Sequence, residues 1–136
     1  MEKQDIEYLF KRYYVYIQQR DALLEQIEKL EAKATKITQS FDANKVGSEP
    51  INNPKPSKVE RFAVKIVEAQ TKVDQLNTLI GAAEDLFKVL RPHQRYLVKC
   101  IVCNGMKIED FSRKEGIKPS TVNINLSKIY KKLENV

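Results

Sequence analysis

Apolar side chains recur at alternating spacings of three and four residues along two long stretches of the chain. Such spacing places its members on one face of an α-helix. The pattern therefore predicts two long amphipathic helices, over residues 5–38 and 58–90. The first apolar seam consists of Leu9, Tyr13, Tyr16, Arg20, Leu23, Ile27, Leu30, Ala34 and Ile37, with Arg20 as a charged interruption. The second consists of Val59, Phe62, Ile66, Ala69, Val73, Leu76, Ile80, Ala83, Phe87 and Leu90.

The segment between these stretches, residues 39–57, breaks the pattern. It contains three prolines and a glycine, which do not continue a helix. We expect a flexible loop here, and we expect the second helix to begin at a capping box formed by Ser57 and Glu60. Two seams joined by a loop favour an antiparallel helical hairpin, and pairing between two chains is the alternative. Apolar residues beside the second seam widen it beyond one partner: Ala63, Val67, Leu79 and Leu86.

Two local features bear on how these helices pack. Gly81 lies inside the second helix, where we expect it to cost about 1 kcal/mol and to permit close approach of another helix. Additional apolar residues near the start of the first helix need a partner, which is either the C-terminal domain of the same chain or another molecule. They are Tyr8, Phe10, Tyr14 and Ile17.

The remaining residues predict three shorter helices. The first covers residues 92–104 and is followed by Gly105, and the second covers residues 106–115, with the small Ser112 where two helices cross. Their inward-facing positions are Leu97, Cys100 and Ile101 in one, and Ile108 and Phe111 in the other.

The last stretch, residues 116–133, has the pattern of the turn and second helix of a helix-turn-helix. Gly116 suits the left-handed conformation that ends a helix, and Ile117 is expected to fill the corner. Pro119 fits the first position of the next helix, where a missing N–H has no effect. The residues expected to face the core are Val122, Leu126, Ile129 and Leu133.

The opposite face of this last helix is chemically suited to a DNA major groove. Asn side chains pair with adenine edges, Thr and Ile methyl groups meet the thymine methyl, and Lys reaches phosphate or guanine. An ordinary surface helix with a solvated charged face is the alternative interpretation. The face consists of Thr121, Asn123, Ile124, Asn125, Lys128, Lys131 and Lys132.

The C-terminal residues resemble a known family. The pattern Leu90-x-Pro92, then Gly105, then GI-x-P-x-TV-x-x-x-LS-x-IY-x-KL-x-x-V over residues 116–136 is similar to the LuxR/GerE-type helix-turn-helix. The same superfamily includes region 4 of sigma factors. The resemblance covers residues 90–136 and implies sequence-specific DNA binding by the helix that begins near Pro119.

The resemblance also implies which residues meet the DNA. The family usually has Ser or Thr before the proline as a helix cap, whereas Lys118 cannot accept that hydrogen bond and is expected to contact a phosphate. Ser112 replaces the family's usual Ala. A long helical N-terminal part followed by this motif is similar in layout to small phage and prophage regulators of the ArpU type. The family's contacting positions correspond to Thr121, Asn123, Ile124, Asn125, Lys128 and Lys131. Beside these we also expect DNA contacts from Lys107, Arg113, Lys118, Ser120 and Lys132.

The charge distribution supports a polyanionic partner. The net charge is +6, and residues 91–136 carry all of it, with ten Lys/Arg against four Asp/Glu. This asymmetry is typical of a nucleic-acid-binding module. The N-terminus lacks a signal-peptide pattern, and the chain lacks an apolar run of membrane-spanning length, so we expect a cytoplasmic protein of a bacterial host cell that does not contact membrane.

Two cysteines form a CxxC motif, Cys100 and Cys103, inside an apolar helix. A zinc site needs four ligands, and His93 is the one further candidate. A redox pair usually lies at an exposed helix N-terminus. We therefore expect buried or half-buried thiols without a metal.

Together these features predict an all-α protein that is not an enzyme. The chain has one His and no Gly-rich phosphate loop, and we expect no cofactor and no small-molecule substrate. The leading hypothesis is a phage-encoded transcriptional regulator that binds double-stranded DNA as a homodimer and that uses its hairpin to dimerise or to contact RNA polymerase. The alternatives are a protein-interaction module, such as an anti-CRISPR or anti-sigma-like inhibitor, and a phage small terminase subunit.

Overall fold

The structure, a computed structural model, describes residues 1–43 and 58–136. Every regular element in these ranges is a helix, which confirms the predicted all-α class. None of these helices combines the length and the apolarity needed to cross a membrane. The elements are α1 (Lys3–Ala43), α2 (Lys58–Val89), α3 (Pro92–Val98) with its π-helical continuation (Lys99–Cys103), α4 (Ile108–Glu115) and α5 (Pro119–Glu134).

The first helix extends beyond its predicted end. We expected it to stop at residue 38, whereas α1 ends at Ala43. Residues 39–43 contain neither Gly nor Pro, so nothing in their backbone chemistry interrupts the hydrogen-bond ladder. The rest of the predicted loop and the cap at Ser57 lie outside the described residues. The second helix matches its prediction to within one residue.

Both predicted seams lie on the covered faces of their helices. Each seam residue whose side chain is described is buried or half-buried, including the long side chain of Arg20. Arg20 lies beside Asp21, with 3.3 Å between Nε and Oδ1. Helical spacing therefore predicted correctly which faces of α1 and α2 pack.

The chain forms two compact units. One unit contains Met1–Gln18 and Asn77–Val136, and the other contains Gln19–Leu76. In the second unit α1 and α2 pack through a small aliphatic core. Its members are Ile27, Ala69 and Val73, with Leu23 and Ile66 partly buried against them.

The first unit has an aromatic core between the start of α1 and the end of α2. The rings of Phe10 and Phe87 stack with centroids 4.8 Å apart, and the ring of Tyr13 meets Phe87 edge-on at 5.2 Å. The Tyr13 hydroxyl donates a hydrogen bond to Glu84 Oε1 at 3.3 Å. These pairings run in opposite directions along the two helices, so here α1 and α2 are antiparallel. Most of the aromatic surface near the start of α1 is therefore covered by the same chain.

Gly81 does not have the packing role that we expected. A Cβ atom built at this position would meet no heavy atom within 4 Å. No other part of the described chain approaches it closely. The flanking residue Leu86 is buried, whereas Ala63, Val67 and Leu79 are exposed.

A π-helical segment alters the register of the third predicted helix. The Asn104 N–H donates to the Lys99 carbonyl at 3.0 Å, which is a bond between residues five apart. In this segment Ile101 is half-buried and the next residue, Val102, is buried, although the spacing argument did not select Val102. Leu97 and Cys100 are buried as predicted, and Val98 is fully buried as well.

Candidate nucleic-acid interface

Helices α4 and α5 are joined by a tight left-handed turn. Gly116 has φ 67°, and the N–H groups of Gly116 and Ile117 both donate to the Ser112 carbonyl. This arrangement satisfies a carbonyl that the end of α4 would otherwise leave unpaired. The side chain of Ile117 is 37% exposed, so the expectation that it fills the corner is wrong. The buried residues nearest to the turn are Phe111 and Ser112 in α4 and Val122 in α5.

The second helix begins at Pro119, as predicted. Lys118 occupies the cap position with an extended backbone, and its side chain makes no capping hydrogen bond. Its carbonyl accepts from the Val122 N–H at 3.2 Å, which starts the helical ladder. The side chain of Lys118 is exposed and remains available for another contact.

The inner face of α5 contains most of the predicted core residues. Val122, Ile129 and Leu133 are each 1% exposed, and Leu126 is half-buried. Tyr130 is also buried, although the spacing argument did not select it. Its ring lies 5.3 Å from Lys3 Nζ of α1, and burial, with a contribution from Glu7, raises the pKa of Tyr130 to about 12.

The outer face of α5 is exposed along its length. Ile124 is 54% exposed, and Lys128 and Lys131 follow it at intervals of four and three residues. These three side chains lie directly opposite the buried stripe. The other exposed candidates on α5 are Ser120, Thr121, Asn123 and Lys132. We call the exposed residues Ser120, Ile124, Lys128 and Lys131 the outer strip.

The two asparagines do not share a face. Residues two positions apart are rotated by about 200° around a helix, so they cannot lie on one strip. Asn123 is exposed on one flank of the outer strip, whereas Asn125 is half-buried on the other. The expectation that both point outward together is therefore corrected: they border the outer strip on opposite sides.

Helix α4 contributes charged groups beside α5. Arg113 is exposed and forms an ion pair with Asp110 on the same helix. Lys107, the residue immediately before α4, is also exposed. The Tyr96 hydroxyl donates to Glu115 Oε1 at 2.8 Å, which ties the end of α4 to α3.

A groove of about 520 Å³ runs between the start of α1 and the flank of α5 that carries Asn123. It brings two predicted residues, Lys107 and Asn123, together with Lys3 and Lys11 of α1. Lys11 Nζ lies 3.0 Å from Glu7 Oε1, so part of this charge is balanced locally. The α1 lysines were not predicted as part of this site, because periodicity does not report which distant segments meet.

The CxxC motif has the environment that we expected. Cys100 is a buried thiol and Cys103 a half-buried one, and they are not joined by a disulfide. Burial raises the pKa of Cys103 to about 11, although Lys99 opposes the shift. A thiol with this pKa is protonated and a poor nucleophile at neutral pH. Among the residues described, no three His, Cys, Asp or Glu side chains cluster as metal ligands.

Comparison of the chain with protein-family models, with curated proteins and with solved structures finds no match. The functional interpretation therefore depends on the surfaces described above.

Proposed function

We propose that this chain is a sequence-specific DNA-binding regulator of transcription in which α4 and α5 act as a helix-turn-helix. The observation that carries the proposal is the outer strip, an exposed and partly cationic face of α5 that lies opposite the buried face. In such motifs the second helix enters the major groove, with its N-terminal residues at the base edges and basic groups further along at the backbone. The LuxR/GerE-type resemblance supports the same assignment.

The chemistry of α5 divides along its length. Thr121 and Ile124, near its start, offer a hydroxyl and methyl groups to base edges and thymine methyls. Lys128 and Lys131 lie one to two turns later, where phosphates line the groove. Because Asn123 and Asn125 border the outer strip on opposite sides, we assign them to opposite walls of the groove.

The charge of the C-terminal part supports a polyanionic partner. All of the net charge of +6 lies in residues 91–136. The cationic side chains around α5 are exposed, including Lys118, Lys131 and Lys132. Duplex DNA is the partner for which a helix with this charge pattern is suited.

The remaining parts of the proposal concern the long helices and the biological setting. Two-fold pairing of chains through α1 and α2 would match operators with symmetric half-sites. Contact with RNA polymerase is the other role that we assign to these helices. The similarity in layout to ArpU-type regulators points to a phage or prophage gene acting in the cytoplasm of a bacterial host.

A salt titration of DNA binding tests the central assignment. The logarithm of the binding constant should fall linearly with the logarithm of salt concentration, by about 0.9 for each neutralised phosphate. Lys128→Ala combined with Lys131→Ala should reduce that slope by roughly two. The control is Lys29→Ala combined with Lys72→Ala, two exposed lysines of the other compact unit, which should leave the slope unchanged.

Sequence specificity requires a separate measurement. Selection of binding sites from random duplexes should return a defined operator, and Thr121→Ala should weaken binding to that operator by about 1–3 kcal/mol. Binding to unselected DNA should change little. Recovery of no common sequence, or equal losses on both kinds of DNA, would contradict base recognition by α5.

A protein-interaction module is the second candidate, and one observation favours it. Tyr8 on α1 is 54% exposed, with the Arg12 guanidinium 4.5 Å from its ring centroid. Tyr and Arg are enriched at protein interfaces. If the chain is an anti-CRISPR or anti-sigma-like inhibitor, substitutions in the outer strip should leave binding to its target protein unchanged. A small terminase subunit would instead form a ring-sized assembly in solution.

A further inference from the structure

One face of α1 is largely exposed in the compact unit that contains α5, and it reaches the edge of the covered seam at Tyr16. Its residues recur at intervals of four, three, four and four: Met1, Asp5, Tyr8, Arg12 and Tyr16. Met1 is 61% and Tyr8 54% exposed, and Tyr16 is half-buried. All of these residues except Arg12 line, with Leu79 and Ala82 of α2, a shallow groove of about 380 Å³. We call this face the α1 stripe.

The α1 stripe carries one acid and one base that do not pair within the chain. Asp5 and Arg12 are seven residues apart, which separates them by roughly 10 Å along the helix axis. Neither forms a salt bridge with any described residue. Arg12 instead stacks over Tyr8, with 4.5 Å from its guanidinium carbon to the ring centroid. The α1 stripe therefore has one negative and one positive charge, at equal distances on either side of its centre.

We propose that the α1 stripe pairs with the same stripe of a second copy, antiparallel and about a two-fold axis that passes beside Tyr8. In a two-fold interface, if residue i meets residue j, then j also meets i. The midpoint between Asp5 and Arg12 falls between Tyr8 and Leu9, so an axis there places each Asp5 opposite the Arg12 of the other copy. The same midpoint relates Met1 to Tyr16. One register therefore pairs both charges and covers the central tyrosines.

This pairing identifies a second copy as the occupant because the stripe is complementary to itself. A parallel alignment in the same register would place Asp5 against Asp5 and Arg12 against Arg12, which is repulsive. Around α1, Lys3 lies about 180° and Lys11 about 100° from the centre of the stripe, and both line the groove beside α5. Self-association would therefore leave α5 uncovered. The inference names the surface for the homodimer in the proposed function, but it does not depend on DNA binding.

Charge reversal tests the pairing in solution, with mass and dissociation constant measured by sedimentation equilibrium. The full-length parent should form dimers. Asp5→Arg and Arg12→Asp should each create two repulsive contacts per dimer and weaken association about tenfold or more. An equimolar mixture of these two variants should dimerise again, because each then supplies the charge that the other lacks. The double variant should dimerise for the same reason.

Matched controls reverse charge elsewhere on the same helix. Glu28→Arg and Lys33→Asp alter exposed residues of the other compact unit and should leave the dimer intact. Circular dichroism of every variant reports whether the helices are retained. A monomeric parent, reversals that leave the dimer intact, or a mixture that stays monomeric while both variants remain helical would each overturn the proposal.

Cross-linking locates the axis independently of charge. Tyr8→Cys should form a disulfide-linked dimer under mild oxidation, whereas Gln26→Cys and the parent should remain unlinked. Equal cross-linking of all three would place the contact elsewhere and overturn the proposed register. DNA binding is measured separately on the monomeric Asp5→Arg variant. An Asp5→Arg variant that stays dimeric contradicts this inference, whereas a monomeric variant that fails to bind a half-site contradicts the DNA-binding proposal.

Discussion

Ser112 has a buried hydroxyl group whose oxygen has no hydrogen-bond partner among the described residues. An unpaired buried polar group costs about 1–3 kcal/mol. Ser112→Ala should therefore raise the free energy of unfolding by about 1 kcal/mol more than Ser127→Ala, an exposed control that shares the gain in helix propensity. Denaturant unfolding of both variants measures the difference. Equal effects would show that the hydroxyl is satisfied in solution.

Two weakly acidic groups, the half-buried thiol of Cys103 and the buried phenol of Tyr130, should make the stability of the protein sensitive to alkaline pH. The pKa of Cys103 is raised from 9.0 to about 11 and that of Tyr130 from 10.0 to about 12, both chiefly by burial. Because the folded state holds these protons more tightly, their contribution to stability is complete below pH 9. It is lost as the pH rises to about 12, at no more than about 1.4 kcal/mol per pH unit for each group.

Cys103→Ala separates the two contributions. This variant should lose stability less steeply than the parent between pH 9 and 11 and should still lose it between pH 10 and 12. Melting temperatures measured across this range supply the test. A variant that follows the parent curve throughout would mean that the thiol does not titrate with folding.

At the scale of single residues, helical spacing predicted burial well where one face met one partner. The seams of α1 and α2, and Val122, Ile129 and Leu133 of α5, follow it. The burial of Tyr130 was not predicted, because Tyr130 lies beside the buried face of α5, where the start of α1 covers it. The prediction that Asn123 and Asn125 share the outward face was wrong, because two residues two positions apart are separated by about 200° around a helix of 3.6 residues per turn.

Replacing two of the glycines by alanine should change the stability of the protein in opposite directions. Gly116 has φ 67°, which costs an L-residue roughly 1–2 kcal/mol, so Gly116→Ala should destabilise the protein by about that amount. Gly81 is helical, and an added Cβ would meet no atom within 4 Å, so Gly81→Ala should stabilise by about 1 kcal/mol. Chemical denaturation of the two variants gives the comparison. Changes of the same sign would contradict the left-handed end of α4.

At the scale of elements, helices were predicted where the sequence contained a periodic apolar pattern or residues that begin or end a helix. Gly116 and Pro119 fixed the boundary between α4 and α5 because each has a restricted backbone role. The extension of α1 to Ala43 and the π-helical segment were not predicted. Residues 39–43 lack an apolar period, and a bond between residues five apart has no distinctive residue type in Lys99–Cys103.

The first compact unit depends on residues from both ends of the chain. Phe10 is fully buried and stacks on Phe87, so Phe10→Ala should lower the free energy of unfolding by about 3–5 kcal/mol. Val15→Ala, at an exposed position on the same helix, should change it by about 0.5 kcal/mol or less. Hydrogen exchange should place the loss in α5 as well as α1. Unchanged protection in α5 would mean that the C-terminal helices are stable alone.

At the scale of the whole molecule, the sequence predicted the helical class and the concentration of positive charge in residues 91–136. It did not predict that residues 1–18 share a compact unit with the C-terminal helices. Periodicity identifies the covered face of α1, but it does not identify the partner that covers Phe10. The choice between the same chain and another molecule therefore stayed open until Phe87 was located beside it.

The bond between Tyr13 and Glu84 joins residues 71 positions apart. During synthesis, the aromatic start of α1 must leave the ribosome well before its partners exist. At about 5–20 residues per second, the delay is roughly 4–15 seconds. Throughout that interval Phe10 and its neighbours lack the partners that cover them in the folded unit, so we expect the nascent chain to bind chaperones that recognise exposed apolar segments.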